Sequence, residues 1–334
     1  SRQRVNSLFR ESREVDMKNL IWLIVLVVFV GSVFYLFALE PSQKESGFAQ
    51  LRSKELTCTI GNNTESGTHR GGYNGVFELT SIHQPESLFV PQYAGLNLEH
   101  VYDGSSRGVD RDVLFEPRRA SMEFRRMDEQ TVALHQPSLP VWKVASNTTF
   151  RLVDPYYIDV TFQCVPQADH FEGGALGFFW ASYINGPLDK SIYFLRAGDE
   201  GNRFWQQFST QFHNHDSTVR HAEDPFQWEF ADDAPNSLFS NISQIRYAEP
   251  FFYGRFRNMV FVVIFEKADG IRFSHSPSGG GQTSAGDDTN PAWDFQWVIP
   301  DPKIGKPHQF NYRVVYKEWE DRADVLAEVA KFRQ

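Results

Sequence analysis

The stretch Tyr157-Ile-Asp-Val-Thr-Phe-Gln-Cys-Val165 alternates apolar and polar side chains along its length. Successive side chains of a β-strand point to opposite faces, so this alternation is typical of a strand with one buried face. Residues 149–153, which come just before it, alternate in the same way. These segments predict short strands that are separated by turns.

The same period recurs over most of the chain. Further segments with a strand pattern are residues 77–82, 121–127, 131–135, 192–195, 259–265, 293–299 and 310–316. Short alternating segments with turns between them favour antiparallel pairing over βαβ units. The predicted fold is therefore mainly β, a large antiparallel two-sheet sandwich or supersandwich. A short C-terminal helix is expected within residues 318–332, where apolar residues recur at helical spacing: Trp319, Val325, Leu326 and Val329.

Residues 20–39 form a run of twenty residues without a charged side chain. A helix of that length spans the roughly 30 Å hydrocarbon core of a bilayer. The run is longer than the apolar core of a signal peptide, and no small-residue cleavage pattern follows it. We therefore expect a retained transmembrane helix. The predicted organisation is a cytoplasmic tail at 1–19, this helix at 20–39, a linker at 40–72 and a sandwich domain at 73–334.

The residues before this run carry an excess of basic side chains, which marks the cytoplasmic side of a membrane. They are Arg2, Arg4, Arg10, Arg13 and Lys18. We expect a protein of the bacterial inner membrane, with its N-terminus in the cytoplasm and its main domain in the periplasm.

The composition is acidic and aromatic, with a formal net charge of −9 and 15% Phe, Tyr and Trp. No basic stripe is present, which argues against nucleic-acid binding. The aromatic content suits a large β-rich core and also a sugar-binding surface. Cys58 and Cys164 form either a disulfide or two separate buried thiols, and neither belongs to a Cys-x-x-Cys motif for zinc or redox chemistry. No cofactor is expected.

Five strings are distinctive, and the chain resembles a group of uncharacterised bacterial extracytoplasmic proteins through them. Residues 93–104 (YAGLNLEHVYDG) and 177–184 (GFFWASYI) are two of these strings. The other three are 249–254 (EPFFYG), 276–281 (SPSGGG) and 290–297 (NPAWDFQW). In strand rhythm and size, residues 73–317 are similar to the galactose-mutarotase-like supersandwich. The resemblance implies that architecture, and no residue is assigned to the His acid and Glu base of mutarotases.

One cluster of aromatic and acidic residues is a candidate sugar site, because ring faces stack on sugar C–H groups while carboxylates bind hydroxyls. Its members are Trp180, Tyr183, Glu249, Tyr253, Trp293, Asp294 and Trp297. Trp293 and Trp297 are four residues apart in a strand-like segment, so they share a face. The alternative is that these rings fill the core of the sandwich.

Histidines give two weaker candidates. The first is a possible metal site formed by His213, His215 and His221. His213 and His215 form a His-x-His pair, and in a strand their rings would share one side, which is acceptable spacing for metal ligands. The alternative is a solvated loop. The pair Glu99-His100, followed by Asp103 at a turn, offers a His beside a carboxylate for acid–base chemistry, or a loop His bonded to its neighbours.

Two functions are compatible with these features. The first is a non-catalytic accessory subunit of a photosynthetic or respiratory membrane complex. In such a complex the apolar helix would pack on other transmembrane subunits through Gly31 and Ser32. The rest of its surface would contact membrane lipid. The alternative is a membrane-tethered protein that binds or acts on carbohydrate. The sequence leaves enzymatic activity undecided, and the accessory function would not require it.

Overall fold

The computed structural model describes residues 47–169 and 171–334, and these residues are mainly β-structure. The first nine strands are β1 Phe48–Arg52, β2 Leu56–Gly61, β3 Gly75–Ser81, β4 Asn97–Tyr102, β5 Glu123–Arg126, β6 Thr131–Gln136, β7 Val144–Val153, β8 Tyr157–Pro166 and β9 Ala175–Ala181. The other strands are β10 Ile192–Ala197, β11 Arg203–Phe208, β12 Thr218–His221, β13 Ile242–Tyr247, β14 Phe251–Phe256, β15 Met259–Phe265, β16 Ile271–Ser276, β17 Ala292–Pro300 and β18 His308–Glu318. The α-helices are α1 Arg111–Leu114, α2 Glu116–Arg119 and α3 Arg322–Arg333.

The alternating segments of the sequence form the longest hairpin. Strands β7 and β8 pair antiparallel, and Asn147 lies opposite Gln163. Burial alternates residue by residue along most of β7 and β8, as the period of two predicts. Strand β15 has the bounds that the sequence predicted, but it is buried on both faces and so shows no alternation. The prediction of a mainly β fold is confirmed.

One long sheet carries most of the chain. Its strand order is β4-β9-β17-β16-β12-β13-β10-β14-β15-β18-β8-β7-β6-β5, and β11 pairs with β10 at one side. The pairing is antiparallel except between β12 and β13, which are parallel. The sheet is therefore mixed rather than wholly antiparallel.

The sheet curls so that its two halves face each other, as the ring contacts show. Trp180 of β9 packs edge-on against Phe162 of β8, with ring centroids 4.8 Å apart. Phe295 of β17 contacts Tyr312 of β18 at 5.2 Å. Strands that are distant in the strand order thus meet through their side chains. This packing forms the interior of a sandwich, in which buried aromatic area is the main stabilising term.

The predicted linker, residues 40–72, contains regular structure in its described part. Strands β1, β2 and β3 form a separate three-stranded antiparallel sheet. Leu56, Cys58 and Ile60 of β2 are buried in the main core. This short apolar segment is thus the central strand of a small sheet. Its burial explains why the compact unit includes residues before 73.

The C-terminal helix is confirmed, with a later start than the pattern suggested. Asp321 caps α3 by accepting a hydrogen bond from the backbone N–H of Asp324. Val325 and Val329 are buried against the sheet, whereas Leu326 is partly exposed. The Glu328 carboxylate accepts from the Tyr157 hydroxyl at 2.9 Å, which fastens the helix to β8.

The two cysteines and the apolar run at residues 20–39 were the remaining structural predictions. Cys58 and Cys164 are free buried thiols in different strands, and burial raises the pKa of both. The expected transmembrane helix at 20–39, with Gly31 and Ser32, lies outside the described residues. Among the residues that are described, no helix has the length and apolar character needed to cross a bilayer.

Candidate functional site

A cleft of 460 Å³ opens beside the edge strand β4. Strand β4 contributes Glu99 and His100, and strand β17 contributes Asp294. The helix α2 contributes Arg118. The volume falls within the range that small-molecule sites occupy in proteins.

Glu99 and His100 both line the cleft although they are neighbours in a strand. A regular strand would send these two side chains to opposite faces. The pairing of β4 with β9 shifts register here, because Leu98 lies opposite Trp180 while His100 lies opposite Phe179. Glu99 is thus the extra residue of a β-bulge, a feature that re-aims side chains and is common beside active sites.

The Glu99 carboxylate is at the centre of a hydrogen-bonded cluster. Its side chain is 8% exposed, and Arg118 Nη1 donates to its Oε1 at 2.8 Å. The Tyr183 hydroxyl donates to the same oxygen at 2.6 Å. A guanidinium and a hydroxyl on one oxygen are the partners that stabilise a buried carboxylate.

Arg118 is itself fixed by its surroundings. Its guanidinium carbon lies 3.8 Å from the centre of the Tyr73 ring, and its Nε donates to the backbone carbonyl of Gly72. Tyr73 in turn contacts Tyr183 edge-on at 5.8 Å and Tyr93 at 4.9 Å. The charged pair therefore lies against a wall of three tyrosine rings.

Two histidines that line the cleft are held in the neutral form. Burial lowers the pKa of His100 to about 4, and the positive charge of Arg118 acts in the same direction against the opposing effect of Glu99. Burial also lowers the pKa of His213, whose Nδ1 lies 2.7 Å from Ser276 Oγ. At neutral pH neither ring adds a positive charge to the cleft.

Asp294 provides a second carboxyl group of opposite character. It is buried, and this burial raises its pKa well above the ordinary range, with a further contribution from the charge of Glu99. The backbone N–H of Ser182 donates to its Oδ1 at 2.9 Å, which opposes the rise. Burial thus favours the protonated form of Asp294. The cleft therefore holds two carboxyl groups in different environments, since Asp294 is buried with a raised pKa and Glu99 is paired with Arg118.

The buried histidines give a testable pH dependence. Burial also lowers the pKa of His275 to about 4. An unfolded His titrates near 6.5, so between about pH 6.5 and 4 the unfolded chain binds protons that the folded chain does not. We expect the free energy of unfolding to fall as the pH drops through this window. Urea titrations at pH 7, 5.5 and 4.5 measure the effect.

Two variants check the origin of this effect. His275→Gln is expected to weaken the dependence of the free energy of unfolding on pH. Asp294→Asn is expected to steepen it, because the raised pKa of Asp294 makes stability fall as the pH rises above its ordinary value. A profile that both variants leave unchanged would contradict these assignments.

Comparison with known proteins gives matches at the level of architecture. No protein-family model matches the chain, and no curated protein matches it. A solved galactose mutarotase-like protein from Lactobacillus casei is 10% identical, with a TM-score of 0.43, and the match covers 81% of this chain and 100% of that one. An aldose epimerase homologue from C. elegans is 9% identical, with a TM-score of 0.46 and coverage of 83% and 100%.

These matches agree with the mutarotase-like architecture that the resemblance of residues 73–317 implied. Identities near 10% and TM-scores below 0.5 transfer no activity and no site residue to this chain. The prediction of an accessory subunit of a photosynthetic or respiratory complex is wrong, because the similar structures are described as epimerase-related and mutarotase-like proteins.

The structure does not bring the predicted sugar-site residues together. Trp180, Trp293 and Trp297 all lie in the main core. Trp293 and Trp297 do share a face of β17, as predicted, and that face is the interior of the sandwich. Asp294 points to the opposite face and into the cleft. The alternation of the strand therefore separates the tryptophans from their acidic neighbour.

The other predicted members have three different positions. Tyr183 lines the cleft with Asp294. Glu249 forms ion pairs with Arg203 and Arg333. Tyr253 lies on a different face of the sheet, stacked on Trp319. Only Tyr183 and Asp294 of the seven reach the cleft, and their binding of a sugar stays a prediction.

The histidine spacing does not form a metal site in the described residues. Residues 211–216 form a loop rather than a strand, with Asn214 and Asp216 at positive φ, so the expectation that His213 and His215 share one side fails. His213 enters the cleft, while His215 is exposed beside Asp216. His221 lies at the end of β12 against Tyr247. No group of three metal-binding side chains occurs in residues 47–169 and 171–334.

Sequence reasoning found part of the site. It singled out Glu99 and His100, and the structure places both in the cleft. Asp103, in contrast, serves the loop that follows β4, because its carboxylate accepts from the Ser105 backbone N–H at 3.0 Å. Tyr73 and Arg118 were missed, since no motif or spacing links them to Glu99 in the sequence.

Proposed function

We propose that the cleft beside β4 binds a carbohydrate. The observation that carries the proposal is the Glu99–Arg118–Tyr183 cluster set against the rings of Tyr73 and Tyr93. Sugars present hydroxyls at their edges and C–H groups on their faces, so a sugar site needs fixed charged groups beside aromatic rings. The charged cluster and the Tyr73 ring line one concave volume of suitable size, and Tyr93 packs on Tyr73.

The groups have separate roles in this proposal. Glu99 Oε1 is engaged by Arg118 and Tyr183, and Oε2 is the oxygen that accepts from a ligand hydroxyl. The Arg118 guanidinium donates to Glu99 and fixes the orientation of its carboxylate. Tyr73 supplies an apolar ring, and the neutral His100 supplies an imidazole that can donate or accept.

A carbohydrate-active function is favoured by one specific observation. Asp294, whose pKa is raised by burial, and the Arg-paired Glu99 give the cleft two carboxyl groups in different environments. A carboxyl group with a raised pKa beside a second, ion-paired carboxyl group suits proton transfer at a sugar. In this second candidate function Asp294 donates a proton and Glu99 accepts one. The tether in residues 20–39 remains an expectation from the sequence.

Sugar binding can be tested on the purified protein with a glycan array followed by calorimetric titration of the best ligand. We expect saturable binding by the native chain and a loss of about tenfold to a hundredfold in affinity for Glu99→Gln, because one charge-assisted hydrogen bond contributes about 1.5–3 kcal/mol. Glu249→Gln is the matched control, since it removes a carboxylate that is also paired with arginine but lies outside the cleft.

Each outcome has a defined meaning. Equal binding by the native chain and Glu99→Gln would place the sugar outside the cleft. No binding to any glycan on the array would contradict the proposal. Anomer interconversion of the bound sugar, followed by NMR, tests the second candidate function, and Asp294→Asn should then slow the reaction more than it weakens binding.

A further inference from the structure

A second concave region of 580 Å³ lies where the helix α3 begins, and we call it the α3 groove. Its floor comes from the outer face of β10 and β14, where Tyr193 lies opposite Tyr253 in register. Arg255 is two residues after Tyr253 and therefore shares its face. Trp319, just before α3, and Arg322, the first residue of α3, also line the groove. The α3 groove shares no lining residue with the cleft beside β4.

The rings in the α3 groove form a stacked column. Tyr193 and Tyr253 have centroids 5.0 Å apart with planes at 13°, and Tyr253 and Trp319 are 5.5 Å apart at 25°. Arg255 lies over the Trp319 ring at 4.8 Å. Arg322 lies 5.1 Å from the Trp205 ring. A guanidinium that packs on a ring face keeps its in-plane N–H donors available for an acceptor beside it.

Neither guanidinium is neutralised within residues 47–169 and 171–334. No ion pair there involves Arg255 or Arg322, and both side chains are exposed. The hydrogen bond of Arg322 goes to the neutral Tyr253 hydroxyl at 3.2 Å.

Two carboxyl groups lie nearby, and Asp321 itself lines the α3 groove, but each accepts a hydrogen bond from an uncharged group rather than from an arginine. Asp321 caps the helix by accepting from the Asp324 N–H at 2.9 Å. Asp189 accepts from the Tyr193 hydroxyl at 2.7 Å. Arg313 of β18, two strands away from β14, shows the usual alternative, which is an arginine that makes two hydrogen bonds to the carboxylate of Asp159. Among the residues that the structure describes, Arg255 and Arg322 have no such partner, so most of their N–H donors are available to an oxyanion in the α3 groove.

We propose that the α3 groove is a second ligand site, which binds an oxyanion through Arg255 and Arg322. The ligand group is a carboxylate, sulfate or phosphate, whose oxygens match the planar donor fork of arginine. The edges of the stacked rings contact the carrier of that group. This site is independent of carbohydrate binding in the cleft beside β4, and either proposal can fail without the other.

The test uses the purified chain and three probes: sodium sulfate, sodium phosphate and sodium glucuronate at constant ionic strength. Tryptophan fluorescence and the NMR signal of the Trp319 indole N–H report binding. We expect a saturable response, and an affinity about tenfold lower for Arg255→Gln and for Arg322→Gln, since each removes a charge-assisted contact. If only glucuronate binds, the ligand class is a sugar acid. If all three probes bind, the α3 groove is a general oxyanion site.

Arg125→Gln is the control, because it removes a partly exposed arginine that pairs with Glu123 and lies outside the α3 groove. Glu99→Gln should leave anion binding unchanged. The proposal is overturned if no probe gives a saturable response, or if Arg125→Gln weakens binding as much as the groove variants do. If a glutamine variant does not fold, the native chain decides: a shifted Trp319 signal supports the site, and shifts confined to other residues refute it.

Discussion

Trp180→Ala is expected to lower the free energy of unfolding by about 3–5 kcal/mol, the usual cost of removing a large buried ring. Trp180 is fully buried between Phe295, stacked at 5.0 Å, and Phe162 and Phe310, edge-on at 4.8 and 5.2 Å. Its removal leaves a cavity in the middle of the sandwich, where neighbouring strands are too constrained to close it. Urea unfolding, followed by circular dichroism, measures the loss.

Two further variants show whether the ring is structural. The indole N–H of Trp180 is buried without a hydrogen-bond partner in the described residues, so Trp180→Phe should cost much less than Trp180→Ala. Phe204→Ala is the exposed control, with 57% exposure, and should change stability by no more than about 0.5 kcal/mol. An unchanged stability in Trp180→Ala, with loss of sugar binding, would instead make this residue a ligand contact.

Arg118→Met is expected to destabilise the protein by about 2–3 kcal/mol. It leaves the Glu99 carboxylate, only 8% exposed, without its guanidinium partner. Removing one member of a buried pair costs about 3–5 kcal/mol in general, and the 17% exposure of Arg118 reduces that cost here. The same variant should also abolish sugar binding, because Glu99 loses its fixed orientation.

A double-mutant cycle separates the charge from the packing of Arg118. Glu99→Gln combined with Arg118→Met removes both charges, so it should recover most of the stability that Arg118→Met loses. Arg203→Met, which removes a partner from the more exposed Glu249 pair, is the control and should have a small effect. Strict additivity of the two single changes would show that Glu99 and Arg118 do not interact energetically.

The strands follow directly from local chemistry. The alternation in β7 and β8, the apolar run of β15 and the helical spacing of Val325 and Val329 each depend on residues that are near in sequence. A period of two or 3.6 residues fixes which side chains share a face, whatever the rest of the chain does. The small sheet in the predicted linker was less visible, because Leu56–Gly61 is a single short strand between polar segments.

The candidate site was only partly accessible to such reasoning. Glu99 and His100 stood out as a carboxylate beside an imidazole, but a regular strand would have separated their side chains. The bulge in β4 brings them to one cleft, and it depends on pairing with β9 almost eighty residues away. For the tryptophans, the sequence placed Trp293 and Trp297 on one face correctly. The sequence could not show which face of β17 is buried, because the curl of the whole sheet decides which face lies inside the sandwich.

By itself the sequence determined the mainly β class, the positions of most long strands, the C-terminal helix and the acidic, aromatic character of the chain. Only the tertiary structure decided that Tyr73, Glu99, Arg118, Tyr183 and Asp294 meet in one cleft, and that Arg255 and Arg322 share a groove. The physical reason is the range of the interactions. Strand and helix patterns are set by neighbours a few residues apart, whereas burial, ion pairing and the resulting pKa values of a site depend on groups that distant strands bring together.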